Sequence, residues 1–357
     1  MTAPLRVVQW TTGNIARQAV RAILSRPDLE LVGVYARSAD KVGRDVGELC
    51  GLDRVVGVAA TGDVAELLAT RPDCVLYTPL HPDVDELVSL LGAGVDVVTT
   101  SELLTGRALT PADRQRIDEA CRSGGTTLFG TGMNPGWVEQ LAAVASGISL
   151  GLRHVTVVES VDVSLYAGDA NMDEFGWGRP AGDPGHAAAV QAATRTFAEG
   201  AEVLARLLHV DAPELRCHVD FAHTLVDLDL PGRSVAAGTV AGIDLRWEVL
   251  DDGHPVAELH SRFVLTSQLD RDWTVEHGYR IDVRGDPNIK VRIEIWPDLD
   301  DLSQLTAEEM HHIGMRISSL PAVNAIPAVC AAAPGIRTYA DLPTVAGRPI
   351  RPTGVGG

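Results

Sequence analysis

The chain has 357 residues, 45% of them hydrophobic, and a formal net charge of -18. That length suggests two domains and that composition suffices for two buried cores; the negative charge argues against nonspecific nucleic-acid binding and against attachment to an anionic membrane, both of which need a positive field. No run approaches the ~20 apolar residues of a membrane span, and the N-terminus shows no apolar segment ahead of a small-residue cleavage site, so a cytoplasmic protein with small-molecule partners is expected. The five cysteines, Cys50, Cys74, Cys121, Cys217 and Cys330, form no CxxC pair and have no histidine at ligand spacing, which predicts reduced, structural thiols. His311 and His312 are adjacent and point to different sides of a helix, so no metal site is expected.

In chain order, the stretch Leu5 to Ile23 is the most informative. An apolar run of strand type breaks at Thr11-Thr12-Gly13-Asn14-Ile15 and resumes with helical spacing, as a dinucleotide-binding βα turn begins. The glycine fingerprint would place glycines at 11, 13 and 16; here those residues are Thr11, Gly13 and Ala16. The middle position is where the backbone must approach a pyrophosphate, and Ala16 is small enough for the helix to pack on the strand. An ordinary strand-to-helix turn is the bland alternative. The next strand, LELVGVYA, ends in Arg37-Ser38, where an NAD-specific site normally carries a carboxylate for the ribose hydroxyl. A guanidinium pairs with a 2′-phosphate in bidentate fashion, a serine adds a donor, and Lys41 stands close by in sequence. NADP(H) is therefore the expected cofactor, with NAD(H) left open as a second one and a solvated surface arginine as the alternative role for Arg37.

Strand and helix continue to alternate, with short buried strands at Asp73 to Thr78, Val95 to Thr100 and Thr126 to Gly130, as in a doubly wound parallel sheet. Ligands bind beyond the carboxyl ends of such strands. Thr78, Pro79, Thr100, Ser101 and Asn134 are accordingly candidate cofactor contacts, and Met133 and Trp137 candidate pocket residues. Asn134 has the alternative role of helix N-cap ahead of Pro135, and Glu102 that of capping a helix at Leu103 or pairing with a nearby arginine. Residues 1–150 are read as the dinucleotide-binding domain and 151–303 as a second, α+β domain. Its β-rich region runs from about Leu152 to Pro297, with mainly antiparallel pairing and one helix over about His186 to Leu208. The Gly, Asp and Pro-rich loop Ala167 to Gly185 is long enough to be functional, and Tyr166, Trp177 and His186 are the pocket candidates around it. Residues 304–357 are read as a helix, about Ala307 to Ala333, and a tail returning to the first domain.

The turn QWTTGNIARQAVRAI, the strand end VYARSADKVGRDVGEL, the segments TTSELLTG and GTGMNPGW, and the tail AVNAIPAVCAAAPGIRTYADLP together resemble the dihydrodipicolinate-reductase-like oxidoreductases. They resemble in particular the branch of 2,4-diaminopentanoate dehydrogenase and the native amine dehydrogenases. The resemblance implies a Rossmann domain, an α+β substrate and dimerisation domain, a homodimer, and NADP(H)-dependent interconversion of a ketone or aldehyde plus ammonia with a primary amine. In that branch a glutamate after the fourth parallel strand acts on the substrate nitrogen, and the matching residue is Glu102. A carboxylate there stabilises an iminium and shuttles protons as ammonia adds and water leaves. The His-His and Lys motif of true dihydrodipicolinate reductases has no counterpart. Two alternatives stay open: a carbonyl or cyclic-imine reductase that needs no ammonia, and a noncatalytic NADP-binding sensor.

Overall fold

A computed structural model describes residues 3–298 and 305–349, and the chain falls into two compact units. The first runs to Trp137 and resumes at Gly314; the second is Val138–Ile313. The division at 137/138 precedes the expected one at 150/151, because the intervening helix packs on strands and a helix of the second unit. The expected division at 303/304 lies outside the described residues.

The first unit begins β1 (Leu5–Trp10), α1 (Asn14–Leu24), β2 (Leu29–Tyr35), α2 (Val46–Leu49), β3 (Ala60–Thr61), α3 (Val64–Ala69) and β4 (Cys74–Tyr77). It continues with α4 (Val84–Gly92), β5 (Asp96–Thr99), α5 (Pro111–Gly124) and β6 (Thr127–Gly130). Capping marks the helix starts: the side chains of Asp45, Asp63, Asp83 and Thr110 each accept from first-turn N–H groups of α2, α3, α4 and α5, as short oxygen-bearing side chains do at N-caps. The strands are mainly apolar, with Arg6, Glu30 and Asp96 as charged exceptions, because helices cover both faces of such a sheet. Val8, Trp10, Val75, Tyr77, Val97 and Leu128 are buried against Leu87, Leu90 and Leu91 of α4.

The second unit holds α6 (Val138–Ser146), β7 (Leu150–Asp162), α7 (His186–Ala193), α8 (Arg195–Leu207), β8 (Glu214–His223), β9 (Leu228–Leu230) and β10 (Arg233–Val235). After these come β11 (Val240–Asp251), β12 (His254–Val264), β13 (Gly278–Asp286) and β14 (Ile289–Ile293). Its main sheet has the order β14-β13-β7-β12-β11-β8. Pairing is antiparallel except between β7 and β12, which run parallel. The single helix expected over 186–208 is two, parted at Thr194, whose hydroxyl turns back to the Val190 carbonyl at 2.8 Å. The β11–β12 hairpin turns at Asp252 and Gly253 with φ of 48° and 77°, the left-handed pair that a two-residue hairpin needs.

Helix α9 (Ala307–Val329) then leads to β15 (Gly335–Arg337), which pairs parallel with β6. The first unit's sheet thus has the order β15-β6-β5-β4-β1-β2-β3, parallel throughout. This is the doubly wound Rossmann order with one added edge strand. Neither β3 nor β15 was legible in the sequence, since two or three residues are too few to show a period.

Candidate functional site

In an open parallel sheet of this order the chain reverses direction across β1 and β4, and the crevice lies beyond their carboxyl ends. There the backbone and side chains are tied together. Gln9 Nε2 donates to the Trp10 carbonyl at 2.9 Å and to Thr78 Oγ1 at 2.8 Å, Thr78 Oγ1 donates to the Trp10 carbonyl at 2.9 Å, and the Thr11 and Thr78 hydroxyls meet at 3.0 Å. Thr11 has φ of 78°, a left-handed backbone unusual for a β-branched residue at the position where the fingerprint places glycine. Its hydroxyl bond to Thr78 is what the side chain adds in return.

Helix α1 differs from α2, α3, α4 and α5 of the same unit, and shares its uncapped glycine start with α7 of the second. Its N-cap is Gly13, no side chain caps it, and its first turn has no acidic residue. The leading N–H groups and the positive end of the helix dipole are therefore open to an anion. Gly13 has φ of -75°, which any residue can adopt, and among the described residues a Cβ placed on it would meet no atom within 4 Å beyond its own chain neighbours. The space before the glycine is thus left for something other than the chain, as a pyrophosphate site requires. Lys41 Nζ reaches Thr12 Oγ1 at 3.0 Å, bringing a cation to the same turn. Ala16 is buried under the strand.

At the end of β2, Arg37 is exposed and its Nη2 donates to both oxygens of Glu86 at 2.9 Å. The same carboxylate accepts from Trp10 Nε1 at 3.2 Å and from the Tyr77 hydroxyl at 2.7 Å, and Trp10 stacks on Tyr35 with centroids 4.1 Å apart. Three donors thus hold Glu86, and through it Arg37, whose bonds to Glu86 use one nitrogen of the planar fork.

The loop after β5 carries the candidate carboxylate. Ser101 N–H bonds Thr99 Oγ1 at 2.9 Å and Ser101 Oγ bonds the Pro79 carbonyl at 2.6 Å, tying this loop to the one after β4. Leu103 and Leu104 are buried. A methyl on Gly130 would overlap the Leu103 carbonyl, so β6 ends in glycine to let the Glu102 loop lie against it. The residues after Ser101 are not helical, which leaves Glu102 without the capping role weighed for it. Its side chain is 18% exposed, and His81 Nδ1 of the preceding crevice loop stands 3.5 Å from its Oε2. Thr100 N–H bonds the Tyr77 carbonyl at 3.2 Å.

Asn134 and Pro135 have extended dihedrals and regular helix begins at Val138, so Asn134 is not an N-cap. The segment lies directly after β6, where Gly136 has φ of 139° and packs on Thr131. Met133 is buried, and Trp137 Nε1 donates to the Val345 carbonyl of the returning tail at 3.3 Å.

Residues 7–128 match the family model of the dihydrodipicolinate reductase N-terminus. The chain is 29% identical over 307 residues to an amine dehydrogenase of Streptomyces virginiae, covering 81% of this chain and 85% of that one. It is 30% identical over 171 residues to the 4-hydroxy-tetrahydrodipicolinate reductase of Trichormus variabilis, covering 44% of this chain and 58% of that one. The protein is an NAD(P)-dependent oxidoreductase with an N-terminal domain similar to that of dihydrodipicolinate reductases. The solved structure of an amine dehydrogenase from Mycobacterium smegmatis shares its fold, with a TM-score of 0.76 and 23% identity over 96% of this chain and 97% of that one.

The remaining pocket candidates of this oxidoreductase lie in its second unit. Tyr166 stacks on His311 at 5.0 Å and its hydroxyl bonds the Met310 carbonyl at 3.3 Å; burial and the neighbouring Asp169 push its phenol up. His186 is buried, stacks on Phe221 at 4.2 Å, and shares a 2.8 Å hydrogen bond with the Phe175 carbonyl. Trp177 is buried beside Phe175. These two therefore pin the loop before α7 rather than present a polar face. That loop is itself folded, with a 3-10 turn at Ala170–Phe175 and an ion pair from Arg233 to Asp173. Burial pushes the Cys50 and Cys121 thiols up to about 11 and Cys217 up to about 12, which makes them poor thiolates. Among the described residues, no cluster of His, Cys, Asp and Glu fits a metal ion, and no helix is long and apolar enough to cross a membrane.

Glu86 escaped the sequence analysis, whereas His81 belongs to the segment Thr78-Pro79-Leu80-His81 that follows a strand and was given no role of its own. Glu86 sits within a helix and has no sequence signal at all. His81 stands on a strand's carboxyl side, where the rule that selected Thr78 and Pro79 reaches it too.

Proposed function

We propose that this oxidoreductase is an NADP(H)-dependent amine dehydrogenase converting a small ketone or aldehyde plus ammonia into a primary amine, and the reverse. The observation that carries the reading is Glu102: a largely buried carboxylate on the carboxyl side of β5, in a chain similar over most of its length to an amine dehydrogenase. The α1 turn, with Gly13 facing open space and Lys41 over Thr12, is the seat for a pyrophosphate. Arg37 and Ser38, in place of a carboxylate, favour a 2′-phosphate. Thr78, Pro79, Thr100, Ser101 and Asn134 contact the remainder of the cofactor.

Bound NADPH supplies a hydride to the substrate carbon. The protein's own task is the nitrogen chemistry. Glu102 takes a proton from ammonium so that neutral ammonia adds to the carbonyl carbon, then returns it to the carbinolamine hydroxyl, which leaves as water. The ionised carboxylate then faces the iminium and stabilises its positive charge until it is reduced. Carbonyl, ammonium and NADPH thus yield amine, water and NADP+, and Glu102 ends as it began. Met133 and Trp137 are assigned to recognising the carbonyl's substituents. A homodimer in a reducing cytoplasm completes the reading, in keeping with the family resemblance and the buried thiols.

The test is NADPH absorbance with a panel of small ketones and aldehydes, with and without ammonium. Turnover should require ammonium, and Glu102→Gln should abolish it while leaving NADPH binding unchanged. Turnover without ammonium would assign a carbonyl or cyclic-imine reductase instead; tight NADPH binding with no turnover would favour a sensor.

A further inference from the structure

We infer that His81 is the proton relay between Glu102 and solvent, a positioning residue for the amine-forming reaction; the inference rests on the role of Glu102 proposed above. β4 and β5 are adjacent parallel strands, so the loops that follow them emerge side by side, tied by the Ser101 to Pro79 hydrogen bond of 2.6 Å. That tie places His81 Nδ1 3.5 Å from Glu102 Oε2, within a few tenths of an ångström of hydrogen-bond reach, and such contacts commonly tighten once ligands bind. The exposures differ in the sense a relay needs: Glu102 is 18% exposed and His81 51%. One end is sheltered where the chemistry occurs, and the other is wet.

His81 lines an open groove of about 470 Å³ with Arg37, Asp83, Asp85, Asp113 and Arg116. Most of those charges are already engaged. Asp83 caps α4, Arg37 is held by Glu86, and Arg116 pairs with Asp85 and Asp113. Among the described residues, His81 Nδ1 stands 3.5 Å from the Glu102 carboxylate on the neighbouring loop. Imidazole gains and loses protons near neutral pH and can carry one on each nitrogen.

The need for a relay follows from the proton count. When free ammonia rather than ammonium enters, carbonyl, ammonia and NADPH require one further proton to give amine, water and NADP+. That proton passes from solvent to His81 Nε2, while Nδ1–H transfers its own to Glu102 Oε2, and the carboxyl delivers it to the departing hydroxyl. In the oxidative direction each transfer is reversed.

The experiment measures ammonium-dependent NADPH oxidation by the full-length protein, comparing wild type, His81→Asn and Glu102→Gln across pH and buffer concentration, with NADPH affinity read by fluorescence. His81→Asn should lower kcat by roughly tenfold or more in dilute buffer, with KM and NADPH affinity within about twofold of wild type. Added imidazole should restore the lost rate, whereas wild type should ignore it. A His81→Asn enzyme with unchanged kcat and pH profile, or a loss that imidazole does not restore, overturns the relay alone. If Glu102→Gln retains turnover, or wild type shows no ammonium-dependent turnover, the reading of Glu102 falls and the relay with it.

Discussion

Gly13→Ala separates the cofactor site from the fold. Most fingerprint glycines are held by a left-handed backbone or by close protein packing, but Gly13 has an ordinary φ of -75° and, among the described residues, no atom beyond its own chain neighbours within 4 Å of the point a methyl group would occupy. The substitution therefore costs the apoprotein nothing in strain or overlap. It narrows the conformations of the unfolded chain, worth about 0.4–1 kcal/mol, which roughly offsets the poorer N-cap that alanine makes than glycine, so the stability of the apoprotein should change by less than about 1 kcal/mol. The same methyl would stand where a pyrophosphate approaches the uncapped N-terminus of α1. Overpacking a close contact typically costs about 1–3 kcal/mol, a loss of roughly tenfold to hundredfold in affinity for NADPH and NADH alike. Chemical denaturation of the apoprotein and fluorescence titration of both cofactors measure the two effects. Unchanged cofactor affinity would refute the assignment of the turn, and an apoprotein destabilised by more than about 2 kcal/mol, beyond what a weaker N-cap costs, would refute the claim that the space before Gly13 is open.

Arg37→Asp should weaken NADPH by roughly hundredfold, from the loss of charged hydrogen bonds worth about 1.5–3 kcal/mol each, with a much smaller effect on NADH; equal losses would show that Arg37 does not meet the 2′-phosphate. Because the Arg37–Glu86 pair is half open to water, its loss should lower stability by under about 1 kcal/mol. In the second unit, Asp244 is 1% exposed and pairs with Arg246, His260 and Arg262. Burial pushes its carboxyl up, but the His260 hydrogen bond and charge, with those of Arg262 and Arg246, outweigh it and hold the carboxyl well below the usual range. Removing the central charge by Asp244→Ala should cost about 3 kcal/mol, since it leaves clustered cations unpaired; a urea midpoint unchanged from wild type would contradict this. The depressed folded value means the stabilisation holds above the unfolded carboxyl value of about 3.9 and is lost as pH falls through the folded one. Acid unfolding below about pH 4 should therefore be less steep in the variant.

Much of the first unit could be read from the chain because its signals are local. The apolar runs before Thr11, Arg37, Thr78 and Ser101 mark strands, and the carboxyl-end rule then selects the residues that follow them. In the second unit, strand character was legible over most of the sheet, but pairing was not. The parallel β7–β12 pair joins residues about a hundred positions apart, such as Val155 and Ala257, and nothing local encodes such a partner. Trp177 and His186 show the same limit at the level of side chains. An aromatic in a glycine-rich loop reads more often as core than as pocket wall, and only the tertiary structure shows which rings, Phe175 and Phe221, these side chains pack on.

By itself the sequence determined the doubly wound domain, the strand-to-helix turn at Gly13, the arginine at the end of β2 and the family that these features resemble, because each depends on residues within one or two turns of chain. Only the tertiary structure decided that α1 is left uncapped with open space before it, that Glu86 holds Arg37, that Gly130 makes room for the Glu102 loop, and that His81 faces Glu102. Those relations join side chains from separate βα units, and they exist only once hydrogen bonding between parallel strands has brought the carboxyl ends of the strands to one edge.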